Sequence, residues 1–159
     1  MAELIKLAEI RVELRDPRPV SVNKLYRKTR DGTLYLTDEG RHFKDRLAEE
    51  IAQATSLHKP PWKNVWDSVY KMGAHVRLII ELHLERLYNG SWKVGGSSTD
   101  GGEPMLPFRK VDAPNYEKII SDAIERGTGI NDACQLSTRI DKYEDKTDPR
   151  IVIIYGVYE

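Results

Sequence analysis

The chain reads as an α+β fold, with a small mixed β-sheet of about four to five strands and two main helices. Three observations predict it. Apolar and polar residues alternate with period two over Ile10–Arg15, and in part over Val76–Leu84, as in half-buried strands. Two stretches instead carry apolar residues at spacings of three and four, as amphipathic helices do. No internal repeat is visible, and strands and helices do not alternate regularly enough for a purely parallel sheet.

Taken in order, Ile10, Val12 and Leu14 alternate with Arg11, Glu13 and Arg15 to give the first strand, which Pro17 and Pro19 end by removing backbone donors. Residues 21–31 are polar and basic. Asp31-Gly32 signals a turn, and Thr33–Thr37 after it reads as a short strand. Thr37 suits a helix cap followed by Asp38 and Glu39, whose charges favour a helix N-terminus. Phe43, Leu47, Ile51 and Ala54 then form one apolar face, which fades near His58-Lys59-Pro60-Pro61. Trp62, Trp66 and Tyr70, four apart, suggest a short amphipathic helix that packs on the body or on a partner, rather than a base-stacking surface. Val76–Leu84 is a well-buried strand. Leu87–Arg109, rich in Gly and Ser, is a long loop of the kind that is functional or disordered. A second helix runs from about Pro114 to Arg126. Leu136–Tyr143 and Ile151–Tyr158 are two closing strands joined by a turn around Asp148-Pro149.

The whole, residues 1–159, is expected to be a single domain carrying a long flexible loop at about 87–109. Lys+Arg 25 balances Asp+Glu 25, so charge excess alone gives no reason to expect a polycation that binds nucleic acid; a local basic patch stays open. One cysteine excludes a disulfide framework and a cysteine-rich zinc module. No apolar run reaches membrane-spanning length, and the acidic start is unlike a signal peptide, so a reduced cytoplasmic setting with no membrane partner is expected.

The stretch richest in chemistry is Asp112-Ala113-Pro114-Asn115-Tyr116-Glu117-Lys118-Ile119-Ile120-Ser121-Asp122-Ala123. At about 100° per residue, Asn115, Lys118 and Asp122 share a sector of roughly 60°. Tyr116, Ile119, Ile120, Ala123 and Ile124 occupy the adjoining sector, which would face the sheet. The Gly-Thr-Gly turn at 127–129 is placed to bring Asp132 back beside Asp112. Periodicity alone favours the simpler account, in which Asp112 only caps the helix and Lys118 with Asp122 is an i,i+4 surface pair. A second constellation holds Arg18, Ser21, Asn23, Lys24, Tyr26, Arg27, Lys28 and Arg30, with no acid between Pro17 and Arg30. It is either a solvated loop or a phosphate-gripping track; beside a carboxylate cluster it would suit metal-assisted phosphodiester cleavage.

Arg18-Pro19-Val20-Ser21-Val22-Asn23-Lys24-Leu25-Tyr26-Arg27, then Leu34-Tyr35-Leu36-Thr37 leading into a helix, resembles the amino-terminal half of the RusA family of Holliday junction resolvases, which are largely carried by phages and prophages. The family's later motif, approximately D-x-D-N-x-x-K-x-x-x-D followed by D-D-x-Q, is met by Asp112, Asn115, Lys118 and Asp122, and then by Asp132 and Gln135. Excess length sits at Lys59–Gly73 and Leu87–Arg109. Pro114 stands where the family usually has its second aspartate. Aligned on Gln135, Ala133 replaces the second member of D-D; a one-residue shift in the glycine turn puts Asp132 there instead.

The resemblance implies a homodimer that holds a four-way DNA junction and nicks paired strands. Asp112 and Asp132 would hold Mg²⁺, with Mn²⁺ as the alternative, and Lys118 would complete the catalytic set. Asn115 and Asp122 would support these groups from behind, and Arg18, Asn23, Lys24, Tyr26, Arg27, Lys28 and Arg30 would bind DNA. The expected setting is the nucleoid or a phage-infected bacterial cytoplasm. Pro114 and Ala133 motivate an alternative: a junction-binding relative with weakened or lost cleavage. The four histidines show no metal-ligand spacing, Cys134 has no histidine near it in sequence, and Asp100 or Glu103 in the long loop is a candidate replacement for the missing carboxylate.

Overall fold

The computed structural model describes residues 5–15, 25–57, 61–87 and 113–159. Its strands are β1 (Lys6–Leu14), β2 (Tyr26–Lys28), β3 (Leu34–Leu36), β4 (His75–Leu84), β5 (Gln135–Glu144) and β6 (Arg150–Tyr158). Its helices are α1 (Asp38–Leu57), α2 (Pro61–Met72) and α3 (Ala113–Thr128), with a 3₁₀ turn at Asp132–Cys134. A four-stranded sheet runs β1-β6-β4-β5, and β2 pairs with β3 in a separate hairpin. The main sheet is mixed: β4 is parallel to β5, while β6 is antiparallel to both β1 and β4. The α+β expectation and the mixed four-stranded sheet are thus met. The expected 87–109 loop, with Asp100 and Glu103, lies outside the described residues except at Leu87, which is buried.

The alternation in β1 is real: Ala8, Ile10, Val12 and Leu14 are buried while Glu9, Arg11 and Glu13 are exposed. In β4 the buried set is Val76, Leu78, Ile80, Leu82 and Leu84. In β6, central in the sheet, Ile151, Ile153, Tyr155 and Val157 are buried on one face and Val152 on the other. Helices cover the first of these faces. Phe43, Leu47 and Ile51 of α1 and Tyr116, Ile119, Ile120, Ala123 and Ile124 of α3 are fully withdrawn from water. Phe43 meets Tyr116 edge-on at 6.4 Å between ring centroids. Burial raises the Tyr116 phenol well above its usual pKa.

Two connections depend on side chains. The closing strands are neighbours in sequence but not in the sheet, because β4 lies between them. Segment 145–149 therefore steps across one strand, a span of roughly 10 Å that a few extended residues cover. Asp145 shapes the step: its carboxylate accepts from Thr147 N (3.2 Å) and Oγ1 (3.0 Å), Asp148 N (3.0 Å) and Arg150 (2.8 Å). The Asp148 and Arg150 bonds hold this carboxyl far below the usual carboxylate pKa.

The second connection is the β2–β3 hairpin, whose turn closes through Thr29 N to Thr33 O at 2.9 Å. The hairpin is held on α1 by Thr37, whose N–H and hydroxyl both donate to Leu25 O. Gly40 makes this approach possible, since a Cβ there would fall 2.4 Å from the same oxygen. Sequence periodicity gave no sign of β2, which is three residues long without alternation.

The Asp145 carboxylate has its folded pKa depressed, so its contribution to stability is present above the unfolded value of about 4 and is lost as pH falls below it. Asp145→Asn should therefore flatten the acid limb of stability against pH, followed by urea unfolding. A variant with the parent's acid limb would show that the step does not depend on this charge. Phe43→Ala, which empties the α1–α3 contact, should cost about 4 kcal/mol in the same assay.

Candidate functional site

Helix α3 is amphipathic, and burial of one face fixes which residues its other face presents. Lys118 is exposed and Asp122 half-buried. After Thr128 the chain reverses through Gly129, at φ +74°, a left-handed conformation that glycine adopts without strain. Gly129 N donates to Glu125 O at 2.7 Å, and Thr128 Oγ1 accepts from Ile130 N at 3.1 Å. Ile130 is buried, and Asn131 caps the 3₁₀ turn by accepting from Ala133 N at 2.9 Å. The reversal carries Asp132 and the start of β5 back along α3, where Ser121 Oγ donates to Gln135 Oε1 at 3.3 Å.

Between helix and strand lies an open depression of about 370 Å³ lined by Glu117, Lys118, Ser121, Asp122, Asp132, Gln135 and Thr138. The geometry brings Lys118, Asp122, Asp132 and Gln135 together. No ion pair joins Lys118 to Asp122, so the simple surface-pair account does not describe them. Asn115 is half-buried one turn earlier and does not line the depression. Asp112, immediately before α3, lies outside the described residues. Glu117, Ser121 and Thr138 were not singled out by the sequence. The lining residues of α3 are 117, 118, 121 and 122, a sector centred about a sixth of a turn round the helix from the Asn115 sector, which shares Lys118 and Asp122 with it. The signal was available: 117 with 121 and 118 with 122 are two i,i+4 pairs.

The basic segment comes within electrostatic reach of Asp122. Tyr26, half-buried, has its phenol pKa raised by burial and by the charge of Asp122. The hairpin that begins at Tyr26 carries Arg27, Lys28 and Arg30, all exposed. Arg18, Ser21, Asn23 and Lys24 lie outside the described residues.

Three carboxylates and one ammonium line the depression, so it repels a phosphodiester unless a cation intervenes. Its donors are all oxygen apart from Lys118 and the amide nitrogen of Gln135, the chemistry preferred by Mg²⁺ and Mn²⁺ rather than by soft metals. Among the described residues no three His, Cys, Asp or Glu converge as a ready-made cage. A hard cation thus fits the donor set, with room for waters and for a ligand from beyond the described residues.

The comparisons decide the family. Residues 16–154 match the family model described as Endodeoxyribonuclease RusA. The chain belongs to the RusA endodeoxyribonuclease family. No curated protein matches it. RusA proteins bind branched DNA and act on Holliday junctions as endodeoxyribonucleases, and resolvases of this kind generally depend on divalent metal. The RusA match covers both the hairpin and the α3–β5 depression. No helix among the described residues is long and apolar enough to cross a membrane.

Other candidates have structural roles. His83 stacks on Tyr143 at 5.0 Å between Glu81 and Asp145. Trp62 stacks on Tyr155 at 6.1 Å, so α2 does pack on the body. Cys134 is half-buried and free.

The charge of Asp122 acting on Tyr26 has a direct readout. The Tyr26 phenol should titrate above 10 in a ring-carbon NMR titration. Asp122→Asn should bring it part of the way back. A Tyr26 titration indifferent to that substitution would separate the hairpin from the depression.

Proposed function

We propose that this chain is a structure-selective endonuclease that resolves four-way DNA junctions by metal-dependent paired nicking, acting as a homodimer of single RusA-like domains in a bacterial or phage-infected cytoplasm. The observation that carries the reading is the single depression holding Lys118, Asp122, Asp132 and Gln135, with Tyr26 of the basic hairpin within electrostatic reach of Asp122. Asp112 and Asp132 would hold Mg²⁺ or Mn²⁺, which supplies Lewis acidity toward a phosphate oxygen and a water of lowered pKa.

The protein's own groups do the rest. Lys118 offsets negative charge that builds on the phosphate oxygens as the bond breaks. Asp122 and Asn115 fix the orientation of neighbouring groups, and Ser121 fixes the Gln135 amide by donating to its oxygen. Arg27, Lys28 and Arg30, with Arg18, Asn23 and Lys24, grip backbone phosphates, while Tyr26 ties that grip to the cutting site. Such contacts read the shape of a junction more than its sequence.

A second reading, a junction binder with weakened or lost cleavage, rests on Pro114 and Ala133, which stand where the family's motif has aspartates. Incubation with a labelled four-way junction in Mg²⁺, Mn²⁺ or EDTA, beside linear duplex, separates the two. Paired, metal-dependent nicks are expected. Selective binding with no nicks in either metal would establish the second reading.

Asp132→Asn and Asp112→Asn should each abolish nicking and spare binding, since each removes a negative charge near phosphate. A variant that cuts as well as the parent removes that residue from the metal site. Lys28→Ala should weaken junction binding and make its salt dependence shallower by about one counterion. An unchanged salt slope would take Lys28 off the phosphate track.

A further inference from the structure

We propose that Tyr70 is a positioning residue for Asp132, holding the acidic turn against the body of the protein; the proposal rests on the reading that Asp132 holds a divalent cation. The turn from Gly129 to Cys134 is well bonded to itself and to the helix it follows. Asn131 Nδ2 donates to Glu125 Oε1 at 3.0 Å, and Cys134 N donates to Asn131 O at 3.0 Å. These partners all lie within the α3–β5 reversal and move with it. Tyr70 is different: its hydroxyl accepts the Asn131 backbone N–H at 2.8 Å from 61 residues away in sequence. Among the side-chain hydrogen bonds of the described residues it is the one that reaches this turn from outside the reversal.

The tyrosine is itself fixed. Its ring packs on Trp66 at 4.6 Å, and Val65 and Val69 bury the inner face of α2. Trp62 of the same helix stacks on Tyr155 of the central strand β6. A rigid path therefore runs from the middle of the sheet through α2 to the residue before Asp132. On the other side of the turn the buried Ile130 is the apolar anchor. With both in place, the Asp132 carboxylate is held at the rim of the depression before any ligand arrives. Without the hydroxyl, the turn keeps its internal bonds but can swing about Ile130, and part of the cation-binding free energy goes into ordering it.

Tyr70→Phe removes the hydroxyl and leaves the ring. The bond is partly solvent-exposed, so an effect of about three- to tenfold is expected. Mn²⁺ binding to the full chain without DNA, followed by titration calorimetry, should weaken by that factor. Junction binding in EDTA should not change, and nicking should recover at saturating Mn²⁺. Unchanged Mn²⁺ affinity overturns the proposal, including the case where the melting temperature falls, because the bond would then serve stability alone. Asp132→Asn, run beside it, tests the underlying reading. Loss of Mn²⁺ binding there with no effect of Tyr70→Phe overturns only the role of Tyr70. Full Mn²⁺ binding by Asp132→Asn overturns the metal role of Asp132 and this proposal with it.

Discussion

Burial of one face of α3 is the constraint on which the rest of the site depends. Tyr116, Ile119, Ile120, Ala123 and Ile124 are withdrawn from water between α1 and the sheet, and together they fix the rotation of the helix about its axis. Turning α3 by one residue, about 100°, would expose isoleucines and drive Lys118 or Glu117 toward the core, at a cost of several kcal/mol. The polar edge is therefore held outward by hydrophobic burial, not by bonds among its own members. This is why acids and an ammonium can share a small surface without neutralising one another in pairs: Lys118 and Asp122 stand four residues apart and form no ion pair.

The same burial determines what can come back to meet that edge. Once α3 is fixed, the reversal at Gly129 and the buried Ile130 leave Asp132 and Gln135 only a short path to β5. The parallel pairing of β5 with β4 then seats Gln135 opposite Val76 in the sheet. The hairpin arrives from the other direction, seated on α1 by the approach of Leu25 to Gly40, and it brings Tyr26 within electrostatic reach of Asp122. An anionic depression beside a cationic hairpin makes chemical sense for a nuclease: the cations attract the phosphate backbone, and the carboxylates admit it only in the company of a divalent metal.

Much of this was legible in the sequence, for identifiable reasons. Burial in α3 follows its 3.6-residue period, and every residue assigned to the inner sector is buried. The helix at Trp62, Trp66 and Tyr70 was readable from the spacing of four. What could not be read are relations between segments. Strand β2 exists only because Leu34–Leu36 pairs with it. Nothing in the residues of β5 and β6 reveals that β4 lies between them; that depends on how the whole sheet assembles. The Asn115 sector lies to one side of the lining face of α3, because helical periodicity does not say from which side Asp132 returns. Glu117 and Ser121 were missed for the same reason.

Tyr70 is the sharpest case of a role set by tertiary structure. From the sequence it is one of three aromatics on a helix that packs on the body, and Trp62 accounts for that packing. Its hydroxyl matters only because α2 passes the far side of a turn that begins beyond residue 128. A catalytic carboxylate on a short turn carries a large entropic cost if the turn is loose, since ordering it consumes ligand-binding energy. Helix α3 constrains the turn from one end and β5 from the other, but both belong to the same reversal and can tilt together. A brace from a separately anchored helix removes that shared motion. In the proposed site the work is thus divided: α3 and the turn after it carry the chemistry, and α2 supplies the fixed point against which the acidic turn is held.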